Sequence, residues 1–562
     1  MSMRLYKIAS NVPHWWEELD ARERKLAEAA ISYHSLLNPG QTITYAFYMG
    51  SSEQFPVLTS TETFTEDYCA DAENLGQVTA RSLVEARKPT ESLDKTLRPL
   101  EDSNHRYIRL TPTVTNDSVQ RQRPEKRLIH RVYDFLEDKT PQFLDEARVA
   151  GWALKESRAK QYVERYGMAD VIEALVEKEG AETWKPVPPR SHNGPRAALF
   201  GLHWLQSGGA ERWAIEAIQI AREAGLLPIV ITDQQSHHNW ITRPELDGCI
   251  LLPLDFPLQV DPGGEPLLAV LSQVFNISSV FVHHCGWLYE RLPWIRQHIP
   301  GVYISDSLHI VEYAKGGYPG TGALFDDYID EHHVISPQLV DWLIEYREIN
   351  PSKITLAPLI GLTTDTELGY RERPDDREFT IAFIGRLARQ KRPDVFLSLA
   401  AALYRRYPNI RFILQGDGEL ESMVDKRTAT LGLGRVIERR HEDVPVSQTL
   451  ADSDLLLLTS GNEGLTLTTL EAVAAGVPVI SADVGSQRTL IPKQALLPRR
   501  GRAMVRKAVP LVGALMADDR KRRRLWEAEV HAVEEFSALQ SAADWMRTTV
   551  KRIKETGSDH HG

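Results

Sequence analysis

The chain has 562 residues, of which 42% are hydrophobic and 25% charged, and a formal net charge of −11. That length holds roughly two to four domains, and the acidic balance argues against nucleic acid as the main partner. Three cysteines, Cys69, Cys249 and Cys285, stand too far apart for a disulfide framework or a zinc spacing.

The first residues lack the apolar core of a signal peptide. No apolar run approaches the roughly 20 residues of a membrane span. The expectation is a cytoplasmic protein, with a peripheral membrane contact left open. Residues 1–190 read as an accessory domain. Helices are expected at "WWEELDARERKLAEAAISYHSLL" and from "EKRLIHRVYDFLED" to "VIEALVEKEG", with strand-like pieces at "TITYAFYMG" and "RYIRLTPTV". The helices dominate, so the domain is expected to be mainly helical. No motif there assigns it a role, so partner binding, acceptor binding and oligomerisation all stay open.

A proline- and glycine-broken seam at "KPVPPRSHNGPR" ends this region. Short apolar runs then alternate with helical stretches. "AALFGL", "PIVIT", "CILLPL", "SVFVHH", "GVYIS" and "EHHVIS" read as strands. The polar stretch "PLIGLTTDTELGYRERPDDRE" interrupts the alternation, which resumes with "FTIAFIGRL", "IRFILQGDG", "DLLLLTS" and "PVISAD". This pattern predicts two doubly wound parallel sheets, over residues 191–363 and 364–535. Residues 536–562 hold an amphipathic helix expected to bury Phe536, Leu539, Trp545 and Met546.

Open α/β sheets bind ligands at the carboxyl ends of their strands. After "FTIAFI" comes "GRLARQKRPD", with Arg386 and Lys391 five apart. Two cations at one strand end suit a diphosphate, although surface cations near a helix start give the same pattern. After "DLLLLTS" comes "GNEGLTLTTLEAV", with Glu463 and Glu471 eight apart. Gly461 and Gly464 keep the loop around Glu463 open. Gly464, Leu465, Thr466, Leu467 and Thr468 lead into a helix whose free N–H groups suit phosphate oxygens. Glu471, inside that helix, suits a ribose diol; Glu463, nearer the crevice mouth, suits a sugar hydroxyl. In the other unit Gly208 and Gly209 stand at a strand-to-helix turn, where backbone approaches a ligand. His283 and His284 end a strand, and either imidazole suits a sugar hydroxyl or simple packing. His309 precedes a glycine-rich loop suited to acceptor entry.

Taken together, "GRLARQKRPD", "QGDGEL", "EGLTLTTLEAVAAGVPVI" and "GGAER" resemble the retaining glycosyltransferases of family 4, which have the GT-B fold. The resemblance covers about residues 195–550 and is strongest from Phe379 to Gly485, around the E-x7-E motif. It implies a nucleotide-sugar donor, expected to be UDP-linked, and a saccharide or lipid-linked acceptor in polysaccharide assembly. It implies Glu463 at the transferred sugar, Glu471 at the donor ribose, Arg386 and Lys391 at the diphosphate, and Gly208 and Gly209 beside the donor. It also implies a cleft histidine, with His284 favoured over His283. No cofactor and no metal are implied, because cations and a helix start serve the leaving group. The final helix is expected to cross back to the first unit. Two departures stand out. Thr466 occupies a common glycine position, and "DVGSQRTLI" replaces a common "GG-x-x-E" pattern. A nucleotide-sugar epimerase and a non-catalytic scaffold are the alternatives.

Overall fold

The computed structural model describes residues 3–9, 12–50, 73–86, 104–110, 147, 151 and 193–556, apart from 207, 259–263, 313–315, 361–368 and 374–376. The helices expected between Glu125 and Gly180, most of the proline-rich seam and much of the second polar stretch lie outside the described residues.

The first unit is a seven-stranded parallel sheet. Its strands are β5 (Arg196–Leu202), β6 (Leu227–Thr232), β7 (Ile250–Pro253), β8 (Asn276–His283), β9 (Tyr303–Leu308), β10 (Glu331–Val334) and β11 (Ile354–Leu356). Their order is β11-β10-β9-β8-β5-β6-β7. The second unit is a six-stranded parallel sheet of β12 (Phe379–Ile384), β13 (Ile410–Gln415), β14 (Ile437–Arg440), β15 (Leu455–Leu458), β16 (Val479–Ala482) and β17 (Leu496–Leu497). Its order is β14-β13-β12-β15-β16-β17. Every residue of β12, β15 and β16 is buried, which is why they read as unbroken apolar runs. This is the GT-B architecture that the motifs implied.

The strand orders locate the crevices. In the first sheet the chain winds from β5 to β6 on one side and to β8 on the other, so the order reverses between β5 and β8. In the second it reverses between β12 and β15. Ligand crevices form at such reversals. Gly208 and His284 follow β5 and β8; Arg386, Lys391 and Glu463 follow β12 and β15.

The described N-terminal residues differ from the mainly helical expectation. They form a four-stranded sheet, β1 (Tyr6–Ile8), β2 (Thr42–Met49), β3 (Glu73–Ser82) and β4 (His105–Arg109), in the order β1-β3-β2-β4. The helix Ala21–Leu37 packs on β3 and β7; the Ser82 hydroxyl of β3 donates to the Ser35 carbonyl at 2.7 Å, and the His34 ring meets Tyr45 of β2 at 5.8 Å. Asp20 opens that helix with a capping box: its carboxylate accepts from the Glu23 N–H at 2.7 Å, and Glu23 accepts from the Asp20 N–H at 3.2 Å. Leu26, Ala30, Tyr45 and Phe47 belong to the same continuous core as the seven-stranded sheet. Lys25 pairs with Asp247 at 3.3 Å, and the Arg22 guanidinium donates to the His237 carbonyl. This region is therefore built onto the first unit.

The chain's end also differs from one continuous helix. A helix over Asp519–Ser537 buries Phe536 in the second unit's core, and Leu539 is exposed. A second helix, Ala542–Thr556, packs on the Gly209–Glu223 helix of the first unit. The break falls at Ser541, whose hydroxyl accepts from the Asp544 N–H at 3.0 Å and so starts a new helix. Trp545, Met546, Val550 and Ile553 join the first unit's core. No helix among the described residues is long and apolar enough to cross a membrane.

Candidate active site

The two reversal points face each other across a seam. On the second unit, Gly385 has φ +156° and leaves room for the Lys391 stem, 3.5 Å from where a Cβ would stand. Lys391 Nζ reaches Glu463 Oε1 at 2.7 Å. Glu463 is only 7% exposed, so it lies deeper than the crevice-mouth position expected of it. The loop that holds it is tied on three sides. The Gly461 N–H donates to the Gln390 carbonyl at 2.8 Å, Gln390 Nε2 to the Asn462 carbonyl at 3.1 Å, and Arg499 Nε to the Gly461 carbonyl at 2.7 Å. Arg386, two residues beyond β12, is exposed.

The helix Leu467–Ala474 follows, with Thr466 at its cap position. Thr466 makes no capping hydrogen bond, and its Oγ1 is buried without a partner. No side chain caps this helix start, and the first N–H groups of a helix attract an anion. Leu465 and Leu467 pack at the edge of the second unit's core, while Thr468 is half-buried on the helix's first turn. Glu471 is half-buried within the helix. Burial raises its carboxyl pKa, and the facing Arg212 pulls the other way.

The first unit supplies the opposite wall. Gly208 is extended, with φ −178°, so its need is for space. A Cβ there would stand 1.9 Å from Glu211 Oε2. Glu211 accepts from Trp204 Nε1 at 2.8 Å and pairs with His203 Nε2 at 2.8 Å. Burial would raise the Glu211 pKa, but these bonds outweigh it and the net shift is downward. Gly209 starts the next helix and faces Leu467 across the seam, 3.7 Å from its would-be Cβ. Gly464 meets the His309 carbonyl so closely that a Cβ would stand 2.2 Å from that oxygen. Asn462 Nδ2 donates to the Val311 carbonyl at 2.7 Å, again across the seam.

The histidines separate. His283 packs inward against Phe200 and Trp213. His284 has φ +59°, a conformation that costs a non-glycine residue energy and recurs at functional sites. Its ring stacks on Tyr318 at 4.7 Å and lies edge-on to His309 at 4.9 Å. Burial, then the neighbouring His203, pushes His284 down to about 3. Burial holds His309 well below the usual imidazole range. Both are neutral hydrogen-bonding groups at ordinary pH. His309 and Glu463 line a seam cavity of about 210 Å³, together with Trp342, Asn462 and Gly464. The Glu211–His203 pair and the Gln390 and Arg499 ties escaped sequence reasoning. "GGAER" contained Glu211, but nothing in the sequence marked its partner.

Residues 367–501, which hold Arg386, Lys391, Glu463 and Glu471, match the family model described as glycosyl transferases group 1. The chain is 27% identical over 167 residues to the Vi polysaccharide biosynthesis protein VipC/TviE of Salmonella typhi, covering 28% of this chain and 28% of that protein. It is 27% identical over 313 residues to a D-inositol 3-phosphate glycosyltransferase of Nocardia farcinica, covering 50% of this chain and 68% of that protein. The chain spans 28% and 51% of the length of the first two curated relatives that it matches. Among solved structures, Anabaena HepE in complex with UDP resembles it with a TM-score of 0.48 and 16% identity, over 65% of this chain and 100% of that one.

Proposed function

We propose that this chain is a retaining glycosyltransferase that moves a sugar from a nucleotide sugar, UDP-linked, to a hydroxyl acceptor without a metal ion. The observation that carries the reading is the convergence of groups from both units on one seam. The Lys391–Glu463 pair and the uncapped helix start come from the second unit. The Gly208–Gly209 turn and the neutral His284 come from the first.

In this reading Arg386, Lys391 and the N–H groups of the Leu467–Ala474 helix hold the diphosphate. Glu471 binds the donor ribose, and Glu463 binds a hydroxyl of the transferred sugar. Lys391 carries three donors, so it can bond Glu463 and a phosphate oxygen together. His284 offers a neutral nitrogen to the sugar. The bond from the anomeric carbon to the β-phosphate oxygen breaks as the acceptor oxygen bonds to the same face. The acceptor's proton passes to the departing phosphate oxygen, whose charge the fixed cations stabilise.

The deciding experiment incubates the purified chain with UDP-sugars and hydroxyl acceptors, then reads products by NMR. Free UDP with a glycoside of unchanged anomeric configuration is expected. A UDP-sugar epimer without released UDP would make it an epimerase. No turnover of any donor would leave a scaffold.

Two further outcomes follow from these roles. Activity should persist in EDTA, since the cations and helix start serve the leaving group. Complete loss, restored by Mg²⁺ or Mn²⁺, would contradict that. Glu471→Ala should weaken donor affinity more than Glu463→Ala, while Glu463→Ala should lower turnover more. Indistinguishable KM and kcat for the two variants would remove the division of roles.

A further inference from the structure

One cluster beside the seam joins His284 to two side chains that the donor reading does not use, His203 and Asp233. It sits at the carboxyl ends of β5, β6 and β8, where His203, Asp233 and His284 come together. His203 lies 5.6 Å from His284, ring to ring. Asp233 Oδ2 accepts from the Trp287 N–H at 2.9 Å, and Asp233 bears electrostatically on His203 and Tyr318. Each of the three side chains keeps one buried polar atom short of a well-formed hydrogen bond: His203 Nδ1, His284 Nε2 and Asp233 Oδ1, whose carboxylate otherwise meets the Trp287 and Gly286 N–H groups and the Cys285 thiol. Buried polar atoms are rarely left unmet, because each costs about 1–3 kcal/mol. Three in one cluster point to a hydroxyl-rich ligand.

The surroundings describe that ligand. Trp204 and Tyr318 are partly exposed aromatic rings, held by His203 at 4.5 Å and His284 at 4.7 Å. Gln234 is exposed, and its Nε2 bonds the Tyr318 hydroxyl at 3.3 Å. Aromatic rings suit the apolar faces of a sugar ring. The fixed charges here are carboxylates: Asp233, Glu211 behind His203, and Glu312 against Gly317. Among the described residues of 203–206 and 233–240 there is no Lys or Arg. Arg291 is turned to the Trp287 carbonyl and Glu290, each at 2.9 Å. Among the described residues at this cluster, a phosphate would therefore meet carboxylates with no uncommitted cation to offset them.

We propose that His203 and Asp233, next to the donor-side His284 and beneath Trp204, Gln234 and Tyr318, form the acceptor subsite, and that it takes an uncharged polyhydroxyl acceptor, a saccharide, in preference to a phosphorylated one. The subsite rests on the glycosyltransferase reading, but its chemistry can be tested by binding alone. His203 accepts a hydroxyl proton at Nδ1 while Nε2 donates to Glu211, and Asp233 accepts another.

The test is saturation-transfer NMR on the full chain with and without UDP. The probes are methyl glycosides of the common hexoses and of N-acetylglucosamine, set against glucose 1-phosphate and inositol 3-phosphate. Neutral glycosides should bind and the phosphates should not. Asp233→Asn and His203→Phe should each weaken glycoside binding by about tenfold, and Asp233→Asn should leave UDP affinity unchanged. Preference for the phosphorylated probes, binding of no neutral glycoside, or wild-type glycoside binding in both variants would each overturn the subsite. UDP binding is scored separately. If UDP binds and glycosides do not, only this inference falls; if glycosides bind and UDP does not, only the donor reading falls.

Discussion

Replacing Lys391 by alanine is expected to lower turnover by about 10²-fold, and Arg386→Ala by a similar factor. The reason is the leaving group. A departing diphosphate gains negative charge as its bond to the sugar breaks, and fixed cations stabilise that charge more in the transition state than before it. Lys391 is well placed for this because its ammonium is held at 2.7 Å from Glu463, with little freedom left to lose on binding. The same bond brings a complication. Glu463 is 7% exposed, so removing its cation strands a carboxylate away from water. Breaking a buried pair costs about 3–5 kcal/mol, and less here because the Lys391 side chain is itself 22% exposed. Lys391→Ala alone therefore mixes a folding cost with a catalytic one. Pairing it with Glu463→Gln separates the two. The double variant should recover thermal stability but not turnover. Arg386 is exposed and makes the cleaner test. Near-normal kcat in both single variants would remove these residues from the diphosphate site.

How much of this was legible in the sequence depends on the range of the forces involved. Strands covered on both faces carry an unbroken apolar signature, so β12, β15 and β16 could be read directly. β14 could not: "IERR" is a half-buried edge strand whose ion pairs, such as Arg440–Glu438 at 2.7 Å, leave a polar pattern. β11 and β17 are too short to show any period. Residue types at the site were legible because chemistry restricts them, but their partners were not. Lys391 and Glu463 stand 72 positions apart, and only the adjacency of β12 and β15 joins them. The depth of Glu463 was likewise set by the seam and not by its loop. The left-handed backbone of His284 had no sequence signal, since local propensity argues against it. Phe536 is buried as expected, but on the preceding helix and in the other unit's core, and Leu539 is exposed, because apolar spacing continues through the Ser541 break, where one hydroxyl outweighs the pattern.

The second large effect concerns that last helix. A chain ended before Ala542 should lose both thermal stability and turnover. The helix places Trp545, Met546, Val550 and Ile553 in the first unit's core, all 5% exposed or less. Fully burying such side chains is worth about 1.5–3 kcal/mol each, and a domain's whole stability is about 5–15 kcal/mol. The first unit therefore cannot lose them and keep its fold margin. Trp545→Ala isolates the largest share. Its ring stacks on His333 at 4.5 Å, and its Nε1 donates to Glu331 Oε1 at 2.8 Å. Glu331 also accepts from Arg552 at 3.0 Å, and Lys554 Nζ donates to the Ala224 carbonyl at 2.6 Å, so the helix is fixed along its length. Trp545→Ala should cost about 3–5 kcal/mol, and Trp545→Phe less, since it keeps the ring and loses the N–H. Turnover should fall for a separate reason. Only residues 538–541 separate this helix from the second unit's last helix, which ends at Ser537, so it ties the two walls of the seam together. Without it, Gly209 need not face Leu467, nor Asn462 reach the Val311 carbonyl. Thermal unfolding and donor turnover of the truncated chain measure both consequences. Unchanged unfolding and full activity would mean that the helix neither completes the core nor holds the seam.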